Sequence, residues 1–158
     1  MIGEVLGEGQ FASVSSCIKI GSEQKNSLAL KTIKKERILS LQGLKRVSNE
    51  IETLTKLKSP YIIFLHDVIQ TATNLYIIME RGGPDLFEFF DEHPNGVSEL
   101  WAKDIMYNIL QGVSFCHDNS YCHRDLKPEV IHFALHSIVF YDFNFTLYSQ
   151  LIEYLDRL

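Results

Sequence analysis

The sequence predicts an α+β chain in two lobes: a small antiparallel sheet carrying one helix, then the start of a helical lobe. Three observations predict it. The first third alternates short β-prone runs with glycine turns. The character changes at the breaker Gly82-Gly83-Pro84. Beyond that breaker, apolar residues recur at the spacing of a long helix. At 158 residues, 46% of them hydrophobic, the chain holds one domain's worth of core. The sheet lobe is expected over about residues 1–80 and the helical beginning over about 81–158.

Residues 2–6 and 12–20 flank a glycine turn, as in a hairpin, and 27–33 make a third strand after Gly21-Ser22. Residues 44–58 read as a helix, because Val47, Ile51, Leu54 and Lys58 follow i, i+4, i+7, i+11 spacing and Ser59-Pro60 ends it. Residues 61–70 and 74–80 are predicted strands, the second around the compact run Leu75-Tyr76-Ile77-Ile78-Met79. Residues 85–90 suggest a short helix. Ser98 suits the N-cap of a longer one reaching about His117, with Trp101, Ile105, Ile109, Val113 and Cys116 on its apolar face. Past Val130 the chain is apolar and aromatic (Ile131, Phe133, Phe140, Tyr141, Phe143, Phe145), with His132 and His136 interspersed. It reads as irregular strand pairs. Residues 147–158 fit a short amphipathic helix.

A net charge of -5 and a pI near 5.6 leave no basic surplus to neutralise phosphates, which argues against a general nucleic-acid binder. Lys31, Lys34, Lys35 and Arg37 cluster at a solvated strand end. Three cysteines, Cys17, Cys116 and Cys122, suit reduced thiols inside a cell. Cys116-His117 and Cys122-His123 fit no common zinc spacing. The N-terminus lacks a basic region followed by an apolar run, Ile2 stands where myristoylation needs glycine, and no run is long enough to cross a bilayer. A soluble intracellular chain, cytoplasmic and without a membrane or nucleic-acid partner, is expected.

Several motifs carry chemistry. Gly7-Glu8-Gly9-Gln10-Phe11-Ala12-Ser13-Val14 places glycines in a strand–turn–strand, where backbone amides can approach phosphate oxygens. A Rossmann reading fails because the segment after Val14 is strand-like. Leu28-Ala29-Leu30-Lys31 ends a strand run on a lysine, and Glu50 lies on the predicted helix. His123-Arg124-Asp125-Leu126-Lys127-Pro128-Glu129 sets an acid two residues before a lysine, then a proline that stiffens the turn. Seventeen residues after Asp125 comes Asp142, in Tyr141-Asp142-Phe143-Asn144.

In this order the motifs resemble those of the eukaryotic protein kinases, serine/threonine type, over residues 2 to about 145. The resemblance implies a protein-kinase-like fold and transfer of the γ-phosphate of ATP to a protein hydroxyl, with ATP and Mg2+ as cofactors. It implies that Leu6, Gly7, Gly9, Val14, Ala29, Lys31, Glu80 and Arg81 bind ATP. Leu6, Val14 and Ala29 would sandwich the base, Glu80 and Arg81 would offer it backbone groups from a hinge over 79–86, and Met79 would be the gatekeeper. Glu50 would hold Lys31 straight; Glu52 competes for that part but points to another helix face. Asp125 would orient the attacking hydroxyl or accept its proton, and Lys127 would neutralise charge on the phosphoryl group. Asp142 would hold the metal. His123 and Arg124 would be supports.

The pattern departs at three places. Val130 stands where the family has a metal-binding asparagine, and it offers no lone pair. Asn144 replaces a glycine, a change that a left-handed backbone tolerates. Ala12 replaces the third glycine of the loop. After Leu158 nothing corresponds to the activation segment or the later helices, so apolar faces of the 98–117 helix and of 131–145 are expected to lie exposed, inviting aggregation or a partner that covers the incomplete helical lobe. Three readings stay open: a divergent kinase domain, a pseudokinase that binds nucleotide or protein without turnover, and a fragment that does not fold alone.

Overall fold

The computed structural model describes residues 1–9, 12–21, 28–134, 137–141 and 146–147. It divides into two compact units, residues 1–51 with 64–81, and residues 52–63 with 82–158. The first unit is built on strands β1 (Ile2–Glu8), β2 (Ala12–Cys17), β3 (Leu28–Lys34), β4 (Leu65–Gln70) and β5 (Asn74–Glu80). They form one antiparallel sheet in the order β1-β2-β3-β5-β4. Ala29, Leu30 and Ile33 of β3 and Ile77 and Met79 of β5 make its core, while β1, at the edge, is exposed throughout.

Helix α1 (Leu41–Lys56) starts three residues before its predicted place, because the Ser40 hydroxyl accepts the Gly43 N–H at 3.1 Å and so caps its first turn. Strand β4 starts at Leu65, four residues later than predicted. The apolar run before it is diverted: Phe140 N–H donates to the Tyr61 carbonyl at 3.0 Å and Ile63 N–H donates to the Phe140 carbonyl at 3.3 Å. Residues 61–63 of that run belong to the second unit. β2 is three residues shorter than predicted.

The second unit holds α2 (Leu86–Glu92) and α3 (Glu99–Asp118), with the short strands β6 (Tyr121–Cys122), β7 (Ile131–Phe133), β8 (Ile138–Phe140) and β9 (Thr146–Leu147). Asp85 and Glu88 cap α2 reciprocally, each side chain accepting the other's backbone N–H. Ser98 caps α3 through the Trp101 N–H at 3.2 Å. β7 pairs with β8, Ile131 opposite Phe140, and β6 pairs with β9. Leu86, Phe89, Ile105, Cys116, Ile131, Val139 and Phe140 fill this core. Of α3's predicted apolar face, Ile105 and Cys116 are buried and Trp101 stays at the rim, its ring 5.0 Å from Phe89. Leu147 is in a strand, and the rest of the helix predicted over 147–158 lies outside the described residues. No helix among the described residues is long and apolar enough to cross a membrane.

Candidate functional site

In the first unit, β3 carries Ala29 and Lys31 on the sheet. Val14 stands opposite Lys31 on β2, and Met79 opposite Ala29 on β5. Ala29 and Met79 are buried, Val14 is half-buried and Leu6 is 41% exposed. The Lys31 amine lies 2.7 Å from the Glu50 carboxylate, and Glu50 is only 8% exposed. Such a pair fixes the lysine on its strand, because burying either charge alone would cost several kcal/mol, on the order of the penalty for any unpaired buried ion. Glu52 instead pairs with Lys56, one turn on.

The β1–β2 hairpin is irregular. Two register shifts bring Gly7 opposite Val14, and Gly9 N–H closes the turn on the Ala12 carbonyl at 2.8 Å. A Cβ on Gly7 would meet nothing within 4 Å, so packing does not demand glycine there and the space above its backbone is open. Gln10 and Phe11 lie outside the described residues. At the end of β5, Glu80 N–H donates to the Phe64 carbonyl at 2.9 Å, and its carboxylate accepts the Phe64 N–H at 3.0 Å. The Arg81 guanidinium lies 3.0 Å from the Glu4 carboxylate on β1.

In the second unit, Asp125 and Lys127 lie on the loop after β6, carboxylate to amine at 3.3 Å, both partly exposed. Asp125 N–H donates to His123 Nδ1 at 3.3 Å, so that ring nitrogen is the acceptor. The His123 ring is buried edge-on to Phe140, centroids 5.6 Å apart. Arg124 between them has φ 63°, the left-handed region that L-residues avoid. The loop ends in a single 3-10 turn, Pro128–Val130, whose Val130 is 3% exposed and accepts the Tyr141 N–H at 2.9 Å. Behind the loop, burial pushes the Cys116 thiol up to about 12, with nearby Cys122 adding to the effect.

These residues can be set against the cofactors that the kinase resemblance implies. A half-buried, carboxylate-braced lysine beside an open glycine-bearing hairpin fits a phosphate-bearing ligand. A metal fits the described residues poorly. Val130 turns an isopropyl group into the core, and among the described residues no three His, Cys, Asp or Glu side chains converge. Asp142, Phe143 and Asn144 lie outside the described residues. Sequence reading did not find the connector's own bonds: Gly82 N–H donates to the Tyr141 hydroxyl at 3.1 Å.

The protein kinase domain family model matches residues 1–148. The chain is 37% identical over 133 residues to CBL-interacting serine/threonine-protein kinase 15 of Arabidopsis thaliana, covering 81% of this chain and 30% of that protein. It is 37% identical over 124 residues to sucrose non-fermenting protein kinase 1 of Fusarium virguliforme, covering 78% and 17%. To the SNF-related serine/threonine-protein kinase of Rattus norvegicus it is 34% identical over 148 residues, covering 92% and 19%. The chain thus spans less than a third of the length of each.

Proposed function

The chain belongs to the protein kinase family, and we propose that it is the first part of a serine/threonine kinase domain that transfers the γ-phosphoryl group of ATP to a protein hydroxyl. On this reading residues 1–158 are one partial kinase domain, with its small lobe in about 1–80. The observation that supports it most is the Lys31–Glu50 pair at 2.7 Å, which braces a lysine on a central strand of the sheet against a carboxylate only 8% exposed. Lys31 holds the nucleotide's phosphates, with the open backbone at Gly7 and Gly9 beside it. Leu6, Val14 and Ala29 bound the base, Met79 limits its depth, and Glu80 and Arg81 offer backbone groups.

In the transfer step the substrate hydroxyl oxygen attacks the γ-phosphorus, the bond to the ADP oxygen breaks, and the hydroxyl proton passes to the Asp125 carboxylate. Lys127, beside Asp125, neutralises charge on the moving phosphoryl group. The family implies ATP and a divalent metal; Asp142 is the proposed Mg2+ ligand, and the steps above use the chain's own side chains. The protein acts in the cytoplasm on a protein substrate, and a further partner covers the apolar face of α3.

A second reading, a pseudokinase, draws on one observation: Val130 is core where the family has a metal ligand. Phosphate transfer from labelled ATP to a generic protein substrate separates the two. Transfer that falls at least about a hundredfold in Asp125→Asn and in Lys31→Met, with unfolding midpoints unchanged for the first, is expected for the kinase. Nucleotide binding with no transfer at any metal concentration makes it a pseudokinase.

A further inference from the structure

Strand β1 is pinned near both ends and loose between them. At its start Ile18 N–H donates to the Met1 carbonyl at 2.9 Å, and the Met1 amine donates to the Ile18 carbonyl at 2.8 Å. Gly3 lies so close on β2 that a Cβ there would run into the Ser16 hydroxyl. Just past its far end the turn closes through Gly9 N–H. The two register shifts fall between these anchors, one between Ile2 and Val5 and one between Val5 and Gly7. Each interrupts the ladder and re-aims the side chains inside it. Because β1 is the edge of the sheet, its pairing among the described strands rests on β2.

Glu4 lies inside the first of these shifts, and its carboxylate meets the Arg81 guanidinium at 3.0 Å. Arg81 is the residue after β5, and both residues belong to the first unit. In the sheet order β2 and β3 stand between β1 and β5, which puts those two strands about 14 Å apart at ordinary strand spacing. Only long side chains cross such a span. Here an arginine and a glutamate do so, and the pair ties the loose middle of β1 to the end of β5. What hangs on this stretch is Gly7. It pairs with Val14, and Val14 with Lys31, so the three stand in one row across β1, β2 and β3. The set of β1 therefore fixes how far the Gly7 backbone stands from the braced Lys31 amine.

We propose that Glu4 and Arg81 form a clasp that holds the β1–β2 hairpin in place beside Lys31, which makes Glu4 a positioning residue for the nucleotide's phosphates. This rests on the reading that Lys31 and the backbone at Gly7 and Gly9 hold those phosphates. In this role Glu4 need not touch the nucleotide. It acts through β1, by sparing the ligand the ordering of a slack hairpin on binding. The two side chains are 34% and 67% exposed, so the effect is small, screened by salt, and set by the sign of the charges.

The test is calorimetric titration of the whole chain with ATP, at about 0.01 M and at about 1 M salt. Glu4→Gln removes the charge and keeps the shape. It should bind ATP about two- to fivefold more weakly than wild type at low salt, the worth of an exposed ion pair, and as tightly as wild type at high salt. Glu4→Arg and Arg81→Glu should each bind more weakly at low salt, and the two together should bind as wild type does. A merely structural part for either residue would not follow the sign of the charges. Should Arg81→Glu fold poorly, Glu4→Gln with its salt dependence decides, since that side chain is outside the core. Glu4→Gln binding like wild type at low salt, or a loss that persists at high salt or in the exchanged pair, overturns the clasp and leaves the nucleotide reading intact. No ATP binding by wild type at either salt overturns both.

Discussion

Single side chains in this protein are governed by whether a polar or ionisable group is braced when buried. Glu50 is braced by Lys31 and keeps its place in the core side of α1; its choice over Glu52 came from the family's pattern, with helical phase setting Glu52 on another face. Tyr141 was not legible. In sequence it is one more aromatic residue in an apolar run, and its partner Gly82 stands 59 positions away. Val130 was legible as a missing lone pair, but only burial shows that it belongs to the core. Cys116 gives the residue-scale prediction. Burial raises its pKa from 9.0 to about 12, so the folded chain keeps the thiol neutral over a range where the unfolded chain ionises it. That contribution is fully present below about pH 9 and is lost as pH rises towards 12. Urea unfolding of wild type and Cys116→Ala between about pH 8 and 11 should show a steeper alkaline loss of stability in the wild type. Parallel curves would mean that the thiol ionises alike in both states.

At the scale of elements, packing overrules propensity wherever the two disagree. α3 was legible because Ser98 caps it and its apolar spacing holds for five turns, and β5 because its run is long, β-branched and bounded by polar residues. The run before β4 misled because apolar residues 61–64 look like strand, whereas the Tyr61 carbonyl and the Ile63 N–H are both taken up by the Phe140 backbone. The same phenylalanine explains a glycine in mid-helix. Propensity says that Gly112→Ala should stabilise α3 by about 1 kcal/mol. Packing says otherwise: a Cβ there would sit 2.7 Å from Phe140 Cε2, 2.9 Å from its Cζ and 3.1 Å from the Tyr61 Cβ. None of these is the loose end of a flexible chain, and overpacking of this kind costs about 1–3 kcal/mol. Gly112→Ala is expected to lower stability by about 1–2 kcal/mol in chemical denaturation. A rise in stability would show that Phe140 can move aside.

On the scale of the whole molecule, the order of motifs carried more than any one of them: five short patterns in sequence named the fold class, while residues beyond the pattern could not be read for what covers them. The consequence is visible on α3. Its buried side is Ile105, Gly112 and Cys116. The opposite side shows Leu100, Met106, Tyr107 and Leu110, spaced at helical i+3, i+4 and i+7, with Leu100 80% and Leu110 58% exposed. Scattered surface leucines need no explanation, but an apolar stripe over three turns of one helix is the kind of surface on which chains associate. The chain is expected to bind an apolar dye and to self-associate with rising concentration in sedimentation. Leu100→Lys with Leu110→Lys should reduce both, while the unfolding free energy stays within about 0.5 kcal/mol, because neither side chain is part of the core. Ile105→Lys, on the buried side, should instead unfold the protein. If the double variant binds dye and associates as before, the sticky surface lies elsewhere, and the exposed β1 edge with Ile2 and Val5 is then the stretch of apolar surface to change.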